Sequence, residues 1–167
     1  MTTPYVIGIG NAVMDVISPV EEERLAALGV QKGIMQLIER ERSEYLMAAQ
    51  ADDHGPGGAH SRLVPGGSVA NTLAGIGMLG LRTAFIGRVA DDPLGLSYAE
   101  QTEAAGTVFV NPPVAGDPLP TSRSIILVTP DGERSMNTYL GISAELGPDD
   151  VNPSVFQGAG WLFLEGY

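Results

Sequence analysis

Residues 66–110 alternate between helical and strand periodicity, and that alternation restricts the chain to a sheet with helices laid on it. Ser68 can cap a helix in which Val69, Leu73, Ile76 and Leu79 recur at i, i+4, i+7 and i+10, with Gly80 as its stop. Residues 83–89 then read as a buried strand. Asp92-Pro93 supplies a cap and a proline at the first helical position, and the helix runs toward Gly106 before a short strand at 107–110. An apolar run at 5–9, closing in Gly8-Ile9-Gly10, has the form of a buried first strand. Strand, helix, strand, helix, strand predicts a parallel sheet with helices on its faces.

Other segments break this rhythm. Residues 14–20, with Val16, Ile17 and then Pro19, read as a short edge-type strand. Glu21, Glu22 and Glu23 precede Leu25, Leu28 and Gly29, a short helix with acid at its positive end and a glycine stop. Residues 34–38 form another apolar run, and 39–51 favour helix with Tyr45, Leu46 and Met47 as the apolar side. The Gly/Pro-rich stretch 52–61 predicts a flexible excursion, and 111–120 an irregular connector. Residues 124–129 and 135–140 flank Pro130-Asp131-Gly132-Glu133 as a β-hairpin would. These pieces predict a second, smaller sheet built from insertions. Pro148-Asp149-Asp150 announces a short helix or turn, and 161–164 a last buried strand. The sequence stops as that strand ends, with no helix to cover it, which predicts an interrupted fold.

Composition narrows the function. With 44% hydrophobic and 17% charged residues the chain is globular in character. A net charge of −11 would repel a phosphate backbone or an anionic membrane, so nucleic acid and membrane surfaces are not expected partners. The absence of cysteine excludes disulfides, thiolate catalysis and cysteine-ligated metal. His54 and His60 are too few and too poorly framed for a zinc site, and no metal ligands are assigned. Neither a signal peptide nor a long apolar run is present, which makes the cytoplasm the expected compartment.

Three places could carry chemistry. Gly66-Gly67-Ser68 leads into a helix whose unpaired N–H donors a ligand could approach closely, and Asn71 follows one turn on, beside Ser68. That set suits a polyhydroxylated ligand, although the same three residues alone are also an ordinary turn and cap. Asn11 and Asp15 follow the first strand, where ligands of open α/β sheets gather. A carboxylate there can accept two adjacent hydroxyls, or simply tie down a loop. Arg134, at the start of a hairpin strand, offers a rigid fork for phosphate or carboxylate, or a merely solvated charge. Arg88 with Asp91 and Asp92 reads more naturally as an ion pair beside a helix cap than as a catalytic cluster. No P-loop, nucleophile elbow or zinc-protease motif occurs, and no residue stands out as a general base.

The stretch GGSVANTLAGIGMLGLRTAFIGRVADDPLG at 66–95 resembles the first signature of the ribokinase-like (PfkB-type) carbohydrate kinases. The likeness extends to GIGNAVMD at 8–15, SIILVTPDGERSMNTYLG at 124–141 and WLFLEGY at 161–167, and within the family it is most similar to the adenosine kinase branch. The resemblance implies a three-layer α/β/α core, incomplete here, with a small β-sheet lid from segments near 14–38 and 121–141. It implies that Asp15, Asn71, Gly66 and Gly67 hold sugar hydroxyls, with Asn11 and Ser68 in the same pocket. Val13, Met35, Leu37, Met136 and Thr138 would face the base or sugar from the lid, and Arg134 would approach the transferred phosphate.

On that resemblance the complete protein is an ATP- and Mg²⁺-dependent kinase of the primary hydroxyl of a nucleoside or sugar, with K⁺ activation common among its relatives. The family's second signature, D-T-x-G-A-G-D, carries the catalytic base and an anion hole, and nothing in the sequence matches it. Residues 1–167 therefore read as the N-terminal substrate-binding portion, inactive alone, with the ATP-binding half absent. The alternatives are a sugar- or nucleoside-binding half-protein without catalysis, and an interaction module in which lid sheets of two copies clasp into a homodimer.

Overall fold

A computed structural model describes residues 5–51 and 61–166. The expected excursion at 52–61, with His54 and His60, lies outside the described residues except for Ser61. In chain order the elements are β1 (Val6–Ile9), β2 (Val13–Pro19), α1 (Glu22–Ala27), β3 (Met35–Leu37), α2 (Arg40–Ala51), β4 (Arg62–Gly66) and α3 (Ser68–Met78). They continue with β5 (Thr83–Ile86), α4 (Pro93–Ala104), β6 (Thr107–Phe109), β7 (Ser122–Val128), β8 (Arg134–Tyr139) and β9 (Trp161–Leu164). Three 3-10 turns, Gly141–Glu145, Pro148–Asp150 and Pro153–Phe156, precede β9. The chain divides into two compact units, one of Met1–Met14, Pro65–Ser122 and Leu140–Tyr167, the other of Asp15–Val64 and Arg123–Tyr139.

The first unit holds a four-stranded sheet in the order β6-β5-β1-β9, parallel at every pairing. Alternation along the strands sends Val6, Phe85 and Phe109 to one face, where Val69, Ala70 and Leu73 of α3 and Tyr98 of α4 close the core. Ile7, Ala84 and Ile86 point the other way, against Leu146, Val151, Val155 and Phe156 from the 3-10 segments. Burial on both faces is why β1 and β5 read as continuous apolar runs. The start of α4 is fixed by several bonds at once. Asp92 Oδ1 accepts from the Gly95 N–H (2.8 Å) and the Thr121 hydroxyl (2.8 Å), and its Oδ2 accepts from the Thr121 N–H (2.9 Å). A Cβ on Gly95 would run into the Ala90 carbonyl oxygen, so glycine is what allows α4 to seat there.

The second unit holds a five-stranded sheet in the order β3-β8-β7-β2-β4. β7 and β8 form the expected antiparallel hairpin, with Val128 opposite Arg134, and β3 adds to β8 in parallel. One face carries Ile125 and Leu127 and packs against Leu25 and Leu28 around α1 and Leu46 of α2. Arg123 points to the same side, donating from Nε to the Ser43 hydroxyl of α2 (2.6 Å) with its guanidinium over the Tyr139 ring.

Five expectations change. The N-cap of α3 is Gly67, with φ +96°, and Ser68 is the first helical residue; no side chain caps the helix. Leu79 lies past the end of α3 at its C-cap and is exposed, because the apolar stripe outlasts the helix. β2 is interior, between β7 and β4, since Pro19 falls at its last position, where a missing N–H costs the ladder little. Tyr45 is exposed under the Arg42 guanidinium, and the apolar side of α2 falls to Leu46, with Met47 partly packed. β9 pairs with β1 as a sheet member, yet Trp161, Leu162 and Leu164 are exposed rather than buried. β4 had no signal in the sequence, because Pro65 and a single short apolar pair mask it.

Replacing Asp92 by alanine removes the α4 cap and the link to Thr121 together. The expected loss is about 2 kcal/mol in urea unfolding, against about 0.5 kcal/mol for the exposed Asp149→Ala.

Candidate functional site

In the first unit the turn into α3 is built around a close backbone approach. A Cβ at position 67 would collide with the Asn11 carbonyl oxygen, and the positive φ there is strained for any L side chain. Gly8 and Gly10 make room in the same way for Val69, which would lie 2.5 Å and 2.7 Å from their added Cβ atoms. The loop after β1 therefore fits against the first turn of α3 through missing side chains. Ser68 and Asn71, three residues apart, share the exposed side of α3, while Val69, Ala70 and Leu73 occupy the buried side. Asn11 is half-buried and Val13 buried. Gly66, buried, presents its carbonyl to the Tyr98 hydroxyl, which donates to it across 2.8 Å. Sequence reasoning missed Tyr98, whose polar end is indistinguishable in a pattern from one more core aromatic.

The second unit gathers the remaining candidates on the sheet face opposite α1 and α2. Register places Met35 beside Met136 and Leu37 beside Thr138, with Arg134 two residues before Met136 on the same side of β8. Met35 and Leu37 are exposed, 54% and 64%, and Met136 and Thr138 are half-buried. The Thr138 hydroxyl is fixed against that of Ser124 at 2.9 Å. On β2 the alternation sets Asp15 and Ile17, half-buried, against buried Val16 and Ser18. Burial pushes the Asp15 carboxyl up to about 6, and the Arg134 guanidinium pulls partly against that rise. The face thus carries a carboxylate balanced near neutrality, a cation, a hydroxyl and a strip of thioether and aliphatic carbon. Gln36 and Asn137 lie on the other side, joined by a 2.8 Å hydrogen bond.

Arg88 is not the partner of Asp91 or Asp92. Its guanidinium meets both oxygens of Asp150 (3.0 and 3.1 Å) and, more loosely, Asp117 (3.4 Å), tying the end of β5 to the 3-10 segment. Asp92 is taken by the α4 cap instead. Among the described residues, no group of three or more histidine, aspartate or glutamate side chains could hold a metal ion. No described helix is long and apolar enough to cross a membrane.

A parallel sheet with helices on it, a mixed second sheet and a glycine-built helix start define the ribokinase-like fold, and comparison with known proteins agrees. An adenosine kinase structure from Sinorhizobium meliloti superposes with a TM-score of 0.81 and 42% identity over 98% of this chain and 47% of its own. A probable sugar kinase from Rhizobium etli CFN 42 gives 0.81 and 38% over the same shares. A fructokinase from Klebsiella pneumoniae is 36% identical over 102 residues, 60% of this chain and 32% of its own length. The pfkB family carbohydrate kinase profile matches residues 33–159, and the chain belongs to that family. It spans about half the length of the solved relatives (47%) and about a third of the curated one (32%).

Two outcomes follow from this geometry. Gly67→Ala should lower stability by about 2 kcal/mol or more in urea unfolding, because it adds both a strained φ and a backbone collision. Asp15→Asn should behave in the opposite sense. A carboxyl raised from 3.8 to about 6 supports the folded state fully below pH 3.8 and loses that support as pH rises through 6. Asn at this position should therefore stabilise the protein at pH 7.5, by on the order of 1 kcal/mol after solvent screening, with the gain fading by pH 4. Thermal unfolding at both pH values reads this directly.

Proposed function

We propose that this chain supplies the acceptor-binding portion of an ATP-dependent kinase that phosphorylates the primary hydroxyl of a nucleoside, with a free sugar of the ribose or fructose type as the second-ranked acceptor. The observation that carries the reading is the face of the five-stranded sheet opposite α1 and α2. There Asp15 shares a surface with Met35, Leu37, Met136 and Thr138, and with Arg134. A carboxylate accepts the two hydroxyls of a ribose diol, while an adaptable thioether and leucine strip suits the flat apolar face of a base. A simple sugar has no use for that strip. The likeness to an adenosine kinase at 42% identity over 98% of the chain supports the same choice.

The α3 turn of the first unit offers groups for a hydroxylated ligand in its own right. Backbone N–H groups of a helix start, with the Ser68 hydroxyl and the Asn71 amide beside them, donate to and accept from ligand hydroxyls. Asn11 holds the Gly67 approach, and Val13 opens the strand that leads to Asp15. We assign the lid role to the five-stranded unit, and Arg134 is the group on it suited to a phosphate oxygen. ATP, with Mg²⁺ on its phosphates, would supply the transferred group. The transfer step itself is assigned to no residue of this chain.

Isothermal titration of the full-length protein with adenosine, ribose and fructose tests the reading. Adenosine should bind most tightly, and Asp15→Ala and Asn71→Ala should each weaken it by about tenfold or more. Equal affinity for adenosine in both variants and the parent would remove these residues from the site.

A further inference from the structure

Tyr98 is a buried residue with a polar end that the proposed site does not use directly. Its ring is fully enclosed, with its centroid 6.4 Å from Phe85 and 5.7 Å from Phe109. The helix that carries it cannot easily slide, because Asp92, Pro93 and the Gly95 approach to Ala90 fix its first turn. Thr102 holds it from below, donating from its hydroxyl to the Tyr98 carbonyl at 2.7 Å. The phenol is thus a donor at a fixed point in the core, and its bond to the Gly66 carbonyl is 2.8 Å long.

That bond has a directional consequence. In a planar trans peptide the carbonyl and the following N–H point in opposite directions. Drawing the Gly66 oxygen inward onto Tyr98 turns the Gly67 N–H away from that core donor, at a residue that is itself partly exposed. Gly67 has no Cβ to bias its own dihedrals, and glycine on both sides of this peptide gives its orientation little intrinsic preference. Asn11 limits the position of Gly67 by contact, but contact does not select the peptide's orientation. We infer that Tyr98 is a positioning residue for acceptor binding: its hydroxyl sets the Gly66–Gly67 peptide so that the Gly67 N–H faces the ligand. The inference rests on the α3 turn being part of the acceptor site, as proposed above.

The test is Tyr98→Phe in the full-length protein, which keeps the ring and removes one donor. Its partner control is Thr83→Val, which breaks the buried Thr83–Thr107 hydroxyl pair (2.8 Å) elsewhere in the same unit. Both should lower the melting temperature to a similar extent. Only Tyr98→Phe should weaken adenosine binding, by about fivefold in titration calorimetry. If both variants weaken binding equally, or if neither does, Tyr98 acts on stability alone and the inference falls. Asn71→Ala separates this from the site itself. Weakened binding in Asn71→Ala with unchanged binding in Tyr98→Phe overturns the positioning role only. Unchanged binding in Asn71→Ala, or no binding of adenosine, ribose or fructose by the parent protein, overturns both.

Discussion

The contact between the Asn11 carbonyl and Gly67 is the constraint on which the first unit turns. It joins the loop after β1 to the start of α3 at a distance that no side chain at position 67 would permit. Once that contact is made, Gly8 and Gly10 must also lack side chains, because Val69 comes down onto both. Val69 and Leu73 then seal against Val6 and Phe85, and the α3 face of the sheet is closed. A chain that gave up any of these glycines would have to lift α3 from the sheet, at the expense of several fully buried side chains. The same absence of side chains leaves backbone donors near the surface at a helix start. Under the proposed function, packing and binding would make the same demand on the same residues.

The second unit follows a different logic. Its helical face is an ordinary hydrophobic seal, with Ile125, Leu127, Leu25, Leu28 and Leu46 buried together. The opposite face mixes a half-buried acid, a cation and exposed methionine and leucine. Burial of the Asp15 carboxyl raises it to about 6, which costs the folded state stability at neutral pH. A side chain that costs stability where it stands and carries a perturbed ionisation is the kind of residue a binding site contains.

Much of the α/β unit was legible in the sequence for a physical reason. Helical and strand periodicities change over at Gly80 and again at Asp92-Pro93, and each changeover coincides with a residue whose backbone chemistry allows only a stop or a start. The Asp92 cap and the 124–140 hairpin are local features, and local chemistry determined them. What stayed hidden depended on neighbours distant in the chain. β4 is a strand because β2 lies beside it, and its own residues carry no alternation. Arg88 found Asp150 and Asp117 rather than the adjacent Asp91 and Asp92, since Asp92 was already occupied by a helix end. Ser68 looked like a cap because serine usually is one, but only glycine could take φ +96° at the preceding position, and that moved the helix start by one residue. Of the candidate site, Gly67 and Asn71 were visible through turn chemistry and family resemblance. Tyr98 was invisible, because a hydrogen bond to a carbonyl thirty-two residues away leaves no local pattern.

On the proposed function, the α3 turn meets the acceptor through its backbone. Amide resonances recorded during titration with adenosine address it most directly. Gly67, Ser68 and Asn71 should show the largest shifts in the first unit and saturate together. Shifts confined to other residues, with these three unmoved at saturating ligand, would contradict it.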